Sequence, residues 1–198
     1  MSATPIDELR TSLDATGHLV AGVRAEQWSQ PTPCTGWTVR QLVNHLVAGN
    51  RLFAGILSGQ PMPPPEQRQQ SADQLGDDPG TAYRASASDL VAAFGRPGVL
   101  QQKFTVPVGP VPGIAALHLR VVEAIVHGWD LAHATSQPVR YPDQLVEQEI
   151  AFTRSQLADL PAAPAGRGPF GPSQPVAEDA GPLDRLAGLL GRTMPVAG

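Results

Sequence analysis

Leu117-His-Leu-Arg-Val-Val-Glu-Ala-Ile-Val-His-Gly-Trp-Asp-Leu131 decides how this chain folds. No proline interrupts it, and the surrounding residues extend the helical pattern from about Pro112 to Thr135. Leu117, Val121, Val122, Ile125, Val126, Trp129 and Leu131 spread over most of the helix circumference, so this helix has to be surrounded by others. Its polar residues are placed selectively. Turning each residue by about 100° puts Glu123 at 0°, His127 at about 40° and Asp130 at about −20°, which is one stripe. By the same arithmetic His118 lies about 140° away and His133 about 80° away, so both are expected to make local hydrogen bonds.

Working outward, four further helices and a short C-terminal one can be read. Thr4 suits an N-cap, Pro5 the first helical position, and Asp7 and Glu8 the positive end of the dipole. Ile6, Leu9, Leu13, Thr16, Val20 and Val23 continue as a buried stripe. After a polar break at Ser29 to Gly36, Thr38 caps a second helix running to about Leu57, with Trp37 as a staple candidate. The Pro-Met-Pro-Pro-Pro run from Pro61 and the Gln- and Asp-rich stretch to Asp78 predict a long exposed connection. Asp78-Pro79 opens a third helix that Gly95 and Pro97 stop. Phe104 to Val108 predicts an extended segment or short hairpin. Past the central helix, one helix runs from about Pro142 to Leu160 and a short one from Pro182 to Leu190, with a Pro- and Gly-rich irregular stretch between. The fold class is all-α: a mostly antiparallel four-helix bundle with a long crossover connection, over residues 1–160, and a short C-terminal helical extension, residues 161–198, packed on it.

On the second helix His45 lies near Leu42, Leu46 and Gly49, on the apolar side, and is expected to face the interior. His45, Glu123 and His127 together offer two imidazoles and one carboxylate. That donor set suits a divalent ion, zinc first, with nickel, iron or manganese as alternatives. Three protein ligands leave one position for water or substrate, and an open position lets a metal lower the pKa of a bound water or thiol. Asp130 is a candidate to accept an imidazole N–H or to serve as a fourth ligand. Spacing alone leaves a second interpretation open, because Glu and His at i, i+4 recur by chance and an apolar-face His is often a hydrogen-bonded core residue.

Other residues are less telling. Cys34 reads as a small half-buried residue rather than a nucleophile, a redox sensor or an extra metal ligand. Trp37 and Trp129 are candidates for pocket walls or plain packing. His18 is expected to face solvent, and Arg51 and Arg120 to form solvated salt bridges. A net charge of −4 with 14 scattered Lys and Arg offers no basic surface for nucleic acid or anionic membrane. The N-terminus has no signal-like pattern, and no membrane-length apolar stretch occurs. A single cysteine fits a cytoplasmic protein.

Two motifs carry a resemblance. Pro31-Thr-Pro-Cys-Thr-Gly-Trp-Thr-Val-Arg-Gln-Leu-Val-Asn-His45 and Glu123-Ala-Ile-Val-His-Gly-Trp-Asp-Leu-Ala132 resemble the DinB/YfiT-like metal-binding superfamily. They are closest to its actinobacterial branch related to the mycothiol-dependent maleylpyruvate isomerase N-terminal domain. The stretch Phe170-Gly-Pro-Ser-Gln-Pro-Val-Ala-Glu-Asp-Ala-Gly-Pro-Leu-Asp-Arg-Leu-Ala-Gly-Leu-Leu-Gly-Arg192 is similar to that branch too. The resemblance implies a DinB-like four-helix bundle whose interior holds a divalent metal, usually zinc, with His45, Glu123 and His127 as ligands and water completing the shell. It also implies a low-molecular-weight thiol as co-substrate, mycothiol in actinobacteria, whose thiolate attacks a small electrophile, and dimerisation through helix faces as a homodimer. The isomerases of this branch carry a further C-terminal domain contributing to the substrate site, whereas about forty residues follow the fifth helix here. The expectation is therefore a zinc-binding, thiol-dependent transferase or isomerase whose substrate is not maleylpyruvate. A metal-dependent hydrolase and a non-catalytic, metal-stabilised binding or stress-response protein are the alternatives.

Overall fold

A computed structural model describes residues 3–69, 72–159 and 171–194. Helix α1 (Pro5–Ala21) starts where the sequence predicts: the Thr4 hydroxyl accepts the Asp7 N–H at 3.2 Å, and the Asp7 carboxylate accepts the Thr4 N–H at 3.2 Å. Thr38 and Gln41 form the same reciprocal cap on α2 (Val39–Leu57). Such caps satisfy amide donors that the first helical turn leaves unpaired. Asp78 caps α4 (Pro79–Phe94) by accepting the Thr81 N–H at 2.9 Å. The predicted extended segment is a hairpin of β1 (Lys103–Val106) and β2 (Gly109–Pro112), antiparallel with Val106 opposite Gly109. It leads directly into α5 (Gly113–Thr135). Helices α6 (Asp143–Asp159) and α7 (Pro182–Leu189) follow, while the predicted end of α6 at Leu160 lies outside the described residues.

The four long helices α1, α2, α4 and α5 form the bundle. Both α1 and α2 pack against α4 and α5, so α1 and α2 lie across a diagonal. Hydrogen bonds fix the directions. His45 meets Glu123 and Asn50 meets Arg120, so α2 and α5 run antiparallel. Thr16 donates to the Ala124 carbonyl and Gln27 to the Thr135 carbonyl, so α1 and α5 run parallel. Asn50 donates to Ser86, and Arg96 to the Leu57 carbonyl, which makes α2 and α4 parallel as well. The expectation of mostly antiparallel neighbours is therefore corrected. The long connection after α2 returns the chain to the same end of the bundle before α4 begins, as a crossover connection does.

That connection is not wholly irregular. It contains α3 (Pro65–Gln69), a single exposed turn that Pro65 pre-sets for its first position. Leu75, only 3% exposed, anchors its far end, where Asn44 accepts the Gln74 N–H at 2.7 Å. The core is formed by Leu9, Leu13, Leu42, Leu46, Leu90, Leu117 and Ile125, none more than 2% exposed. Each contributes roughly 1.5–3 kcal/mol by leaving water. Among the described residues, no helix is long and apolar enough to cross a membrane.

Candidate metal centre

Two elements supply the three residues that spacing singled out, and the fold brings them together. The His45 imidazole on α2 places Nε2 2.9 Å from Glu123 Oε2 on α5, and His127 Nε2 lies 3.3 Å from the same oxygen. The two imidazoles meet edge to face with ring centres 5.1 Å apart. One ligand-capable atom from each residue falls within 4.8 Å of the others. Ligand atoms about 2.0–2.2 Å from a tetrahedral ion stand about 3.3–3.6 Å from each other, so the cluster is close to the size a divalent ion requires. Its electrostatics are unusual for a buried group. Burial works to raise the Glu123 carboxyl, yet hydrogen bonds from the two imidazoles, reinforced by their charge, hold it well below the usual carboxylate range. Burial pushes the His45 imidazole down despite the neighbouring carboxylate.

His127 is held from behind. Its Nδ1 lies 2.9 Å from Asp130 Oδ2, one helical turn on, and both residues are buried. With the Nδ1 proton donated to Asp130, the neutral ring turns its Nε2 lone pair toward the Glu123 carboxylate. Two electron-rich atoms at that distance repel unless a proton or a cation lies between them. Burial lowers the His127 pKa, but the hydrogen bonds to Asp130 and Glu123 outweigh that and raise it, so the ring holds a proton more tightly than a free imidazole does. Asp130 thus takes the first of its two predicted roles, and Arg192 adds to it. The Arg192 guanidinium donates through Nε to Oδ1 at 3.1 Å and through Nη2 to Oδ2 at 2.8 Å, and is itself 5% exposed. Burial would raise the Asp130 carboxyl; His127 and Arg192 more than offset it, and Asp130 stays ionised.

Arg192 was not singled out in the sequence, although it ends the C-terminal stretch that carries the resemblance. Its segment is tied to the bundle a second time, because the Trp129 indole donates to Asp184 of α7 at 2.8 Å. Trp129 is fully buried and packs against His133, so it is a core residue and not a pocket wall. Trp37 does line a pocket: its ring lies 4.6 Å from His45 and 5.8 Å from His127, and a groove of about 880 Å³ opens beside it and His45.

The remaining candidates separate clearly. Arg120 corrects the expectation of a solvated salt bridge. It is 3% exposed, has no carboxylate within salt-bridge distance among the described residues, donates to Asn50 at 2.9 Å and lies 5.2 Å from the Phe53 ring centre. Its Nε has no hydrogen-bond partner among the described residues, and a Cβ at Gly49 would stand 2.7 Å from its Nη1, so a larger residue there would have to displace the guanidinium. Arg51 is exposed and donates to Gln74 at 3.0 Å rather than to an acid. Cys34 is half-buried near His127 and Asp130, and burial pushes its thiol pKa up, the reverse of what a nucleophile requires. His118 bonds Glu149 of α6 at 2.8 Å, while His133 and His18 bond the carbonyls four residues back, and His18 is exposed.

Comparison with known proteins gives the chain's family and fold. The profile of the mycothiol maleylpyruvate isomerase N-terminal domain matches residues 9–132, a span that begins in α1 and ends just past Asp130. The uncharacterized protein Rv0738 of Mycobacterium tuberculosis is 33% identical over 190 residues, covering 96% of this chain and 98% of that protein. A second uncharacterized protein of that organism, Rv0036c, is 26% identical over 142 residues, 65% of this chain and 55% of the other. Among solved structures, the mycothiol-dependent maleylpyruvate isomerase superposes with a TM-score of 0.61 at 16% identity, over 77% of this chain and 68% of that one. A histidine-to-alanine variant of that enzyme gives 0.64 at 15% identity. These structural likenesses establish the shared helical fold, and the profile match over most of the chain establishes more: this protein belongs to the family of the mycothiol maleylpyruvate isomerase N-terminal domain.

Proposed function

We propose that His45, Glu123 and His127 hold a divalent metal, zinc by the chemistry of the donor set and nickel as the alternative, and that the chain is a cytoplasmic thiol-dependent transferase or isomerase. The observation that carries this reading is the convergence of three ligand-capable atoms within 4.8 Å. The fixed orientation of His127 on Asp130 supports it. Family membership supports mycothiol as the thiol and a small electrophile as its partner. When bound, such a metal supplies a Lewis acid that lowers the pKa of a thiol sharing the site.

The chain's own residues do the rest. Asp130 accepts the His127 Nδ1 proton and so aims Nε2 at the centre. Glu123 contributes the one negative charge facing both imidazoles. Trp37 covers the two rings on one side and restricts water there. His45, with a side chain 39% exposed against 4% for His127, leaves the approach open from the groove. In the reaction the thiol sulfur, having lost its proton, uses an electron pair to bond an electrophilic carbon; a group leaves that carbon, or a π bond opens and is later re-formed.

The test measures metal by mass spectrometry on untagged protein, and conjugation of a panel of electrophiles with mycothiol. Near-stoichiometric metal and thiol-dependent turnover in the wild type, both lost in His45→Ala, is the expected result. Turnover unchanged in His45→Ala overturns the reading, and turnover without any thiol assigns the site to hydrolysis instead. Absence of turnover, with a large drop in melting temperature on chelation, assigns the metal a structural role.

A further inference from the structure

Arginine side chains stay at the surface or pair with an acid when buried, because a charge taken out of water without a partner is strongly destabilising. Arg120 does neither. It is 3% exposed, and its one hydrogen bond among the described residues runs from Nη2 to the neutral side-chain oxygen of Asn50, which in turn donates to Ser86. Its Nε is buried without a partner among those residues. Glu123, the carboxylate whose charge reaches it, is beyond salt-bridge distance and already shared between two imidazoles. Phe53 offers the guanidinium only a ring face, 5.2 Å away. An apolar side chain would fill the same space without a desolvated charge, so packing alone does not call for an arginine here.

The unpaired charge lies against a route for a ligand. Gly49 forms part of the groove wall beside His45, and a Cβ on it would stand 2.7 Å from Arg120 Nη1, 3.0 Å from Nη2 and 3.1 Å from Cζ. The guanidinium thus rests directly on the backbone of that wall. No carboxylate and no lysine line the groove among the described residues. Its other arginine, Arg51, donates to the Gln74 side-chain oxygen and carbonyl and pairs with no acid. Two cations without an anion flank one space, Arg120 at its floor and Arg51 at its rim.

We infer that Arg120 is a specificity-determining residue, the receptor for a carboxylate group carried by the electrophile. Nη1, the donor against Gly49, gives that carboxylate a charge-assisted hydrogen bond, and Arg51 draws the anion inward from the rim. Arg120 precedes Glu123 by three residues and Gly49 follows His45 by four, so the bound carboxylate stands roughly one helical turn, about 5–6 Å, from the candidate centre. The reacting carbon is then a few bonds away from the carboxylate, which takes no part in bond making and stays on Arg120 while the sulfur attacks. The inference rests on the thiol reading above only for what the carboxylate is attached to, because the unpaired guanidinium selects an anion whether or not a metal or a thiol is present.

The test titrates butyrate, and butyramide as its uncharged counterpart, into the full chain stripped of metal at constant ionic strength, followed by calorimetry and by melting temperature. Butyrate is expected to bind saturably and to raise the melting temperature, as a ligand of the folded state does, and butyramide to do neither. Affinity for butyrate should fall about tenfold or more in Arg120→Met, the loss of one hydrogen bond to a charged group. Gly49→Ala keeps the charge but pushes the guanidinium off the wall, and should lower affinity as well; Arg51→Ala should lower it less than either. A purely structural Arg120 predicts the opposite pattern: a lower melting temperature without anion in Arg120→Met, and a butyrate-induced shift equal to that of the wild type. That pattern, equal effects of butyrate and butyramide, or no butyrate binding by the wild type overturns the inference. Thiol-dependent turnover of metal-loaded wild type, with neutral and with carboxylate-bearing electrophiles, is measured alongside. Butyrate binding through Arg120 without any such turnover would sink the thiol reading and leave the anion site standing; turnover indifferent to the carboxylate, with no butyrate binding, would do the reverse.

Discussion

Helix α5 pairs a histidine with a glutamate on two of its faces, half-buried Glu123 on one and fully buried Glu149 on the other, and the two arrangements differ in everything but that pairing. On the α2 side, His127 and Glu123 converge with His45, and the cluster borders a groove. On the α6 side, His118 meets Glu149 at 2.8 Å, its ring stacks on Phe152, and no third ligand-capable residue joins them among the described residues. The second Glu149 oxygen has no hydrogen-bond partner among the described residues. A histidine beside a glutamate is therefore not what marks a site. What marks it is a third donor, a route for a ligand, and a residue such as Asp130 that spends one ring nitrogen so the other is free.

The largest expected contrast is in metal content. Glu123→Ala removes the oxygen shared by both imidazoles and is expected to take bound metal from near-stoichiometric to background by mass spectrometry, whereas Glu149→Ala leaves it unchanged. Equal loss in both variants would erase the distinction. A smaller contrast comes from Arg192. Its loss leaves Asp130 as a buried carboxylate with one partner fewer, and breaking a buried pair in this way costs about 3–5 kcal/mol. Arg192→Ala is expected to show that loss in denaturant unfolding and to weaken metal affinity about 10–100-fold in a competitive chelator titration, the usual penalty for losing a supporting partner. Arg192→Lys, which restores the charge but not the two-point geometry, should recover most of the stability and less of the affinity. If lysine restores both equally, Arg192 serves only as a counter-charge.

How far each of these could be read in advance follows from where its partners sit in the chain. Helix starts are written locally: Thr4 with Asp7, Thr38 with Gln41 and Asp78 with Thr81 are caps within three residues. Glu123 and His127 share a stripe for the same local reason, and His45 could be placed on an inward face by its apolar neighbours. Arg192 could not be placed, because its partner Asp130 is 62 residues away across a Pro- and Gly-rich stretch without periodicity. Arg120 misled for another reason. A long cation reads as a surface residue, and only the packing shows that Gly49 vacates the space it fills. The crossover after α2 was legible from its long Pro- and Gln-rich connection, whereas the parallel pairing of α1 with α5 shows only in the packing.

The smallest effect belongs to the closed pair, and pH gives it a sign. The hydrogen bond that His118 donates to Glu149 raises the His118 pKa above its ordinary value, while burial raises the Glu149 carboxyl. A histidine whose pKa is higher folded than unfolded adds stability that is fully present below about pH 6.5, its unfolded value, and is lost as pH rises through the folded value. His118→Ala removes that contribution and leaves Glu149 with neither oxygen paired, so about 1–3 kcal/mol of stability should be lost near pH 6. As pH climbs past the folded His118 value the wild-type advantage should shrink, because the neutral ring no longer adds its charge to the hydrogen bond it donates to Glu149. Melting temperatures of the two proteins from pH 5.5 to 9 measure this directly. A gap that widens with pH would mean that the unpaired Glu149 carboxyl, ionising in the variant, costs more than the lost imidazolium pair is worth. Metal content should stay level across the same series of variants, because nothing about His118 reaches the α2 side of the helix.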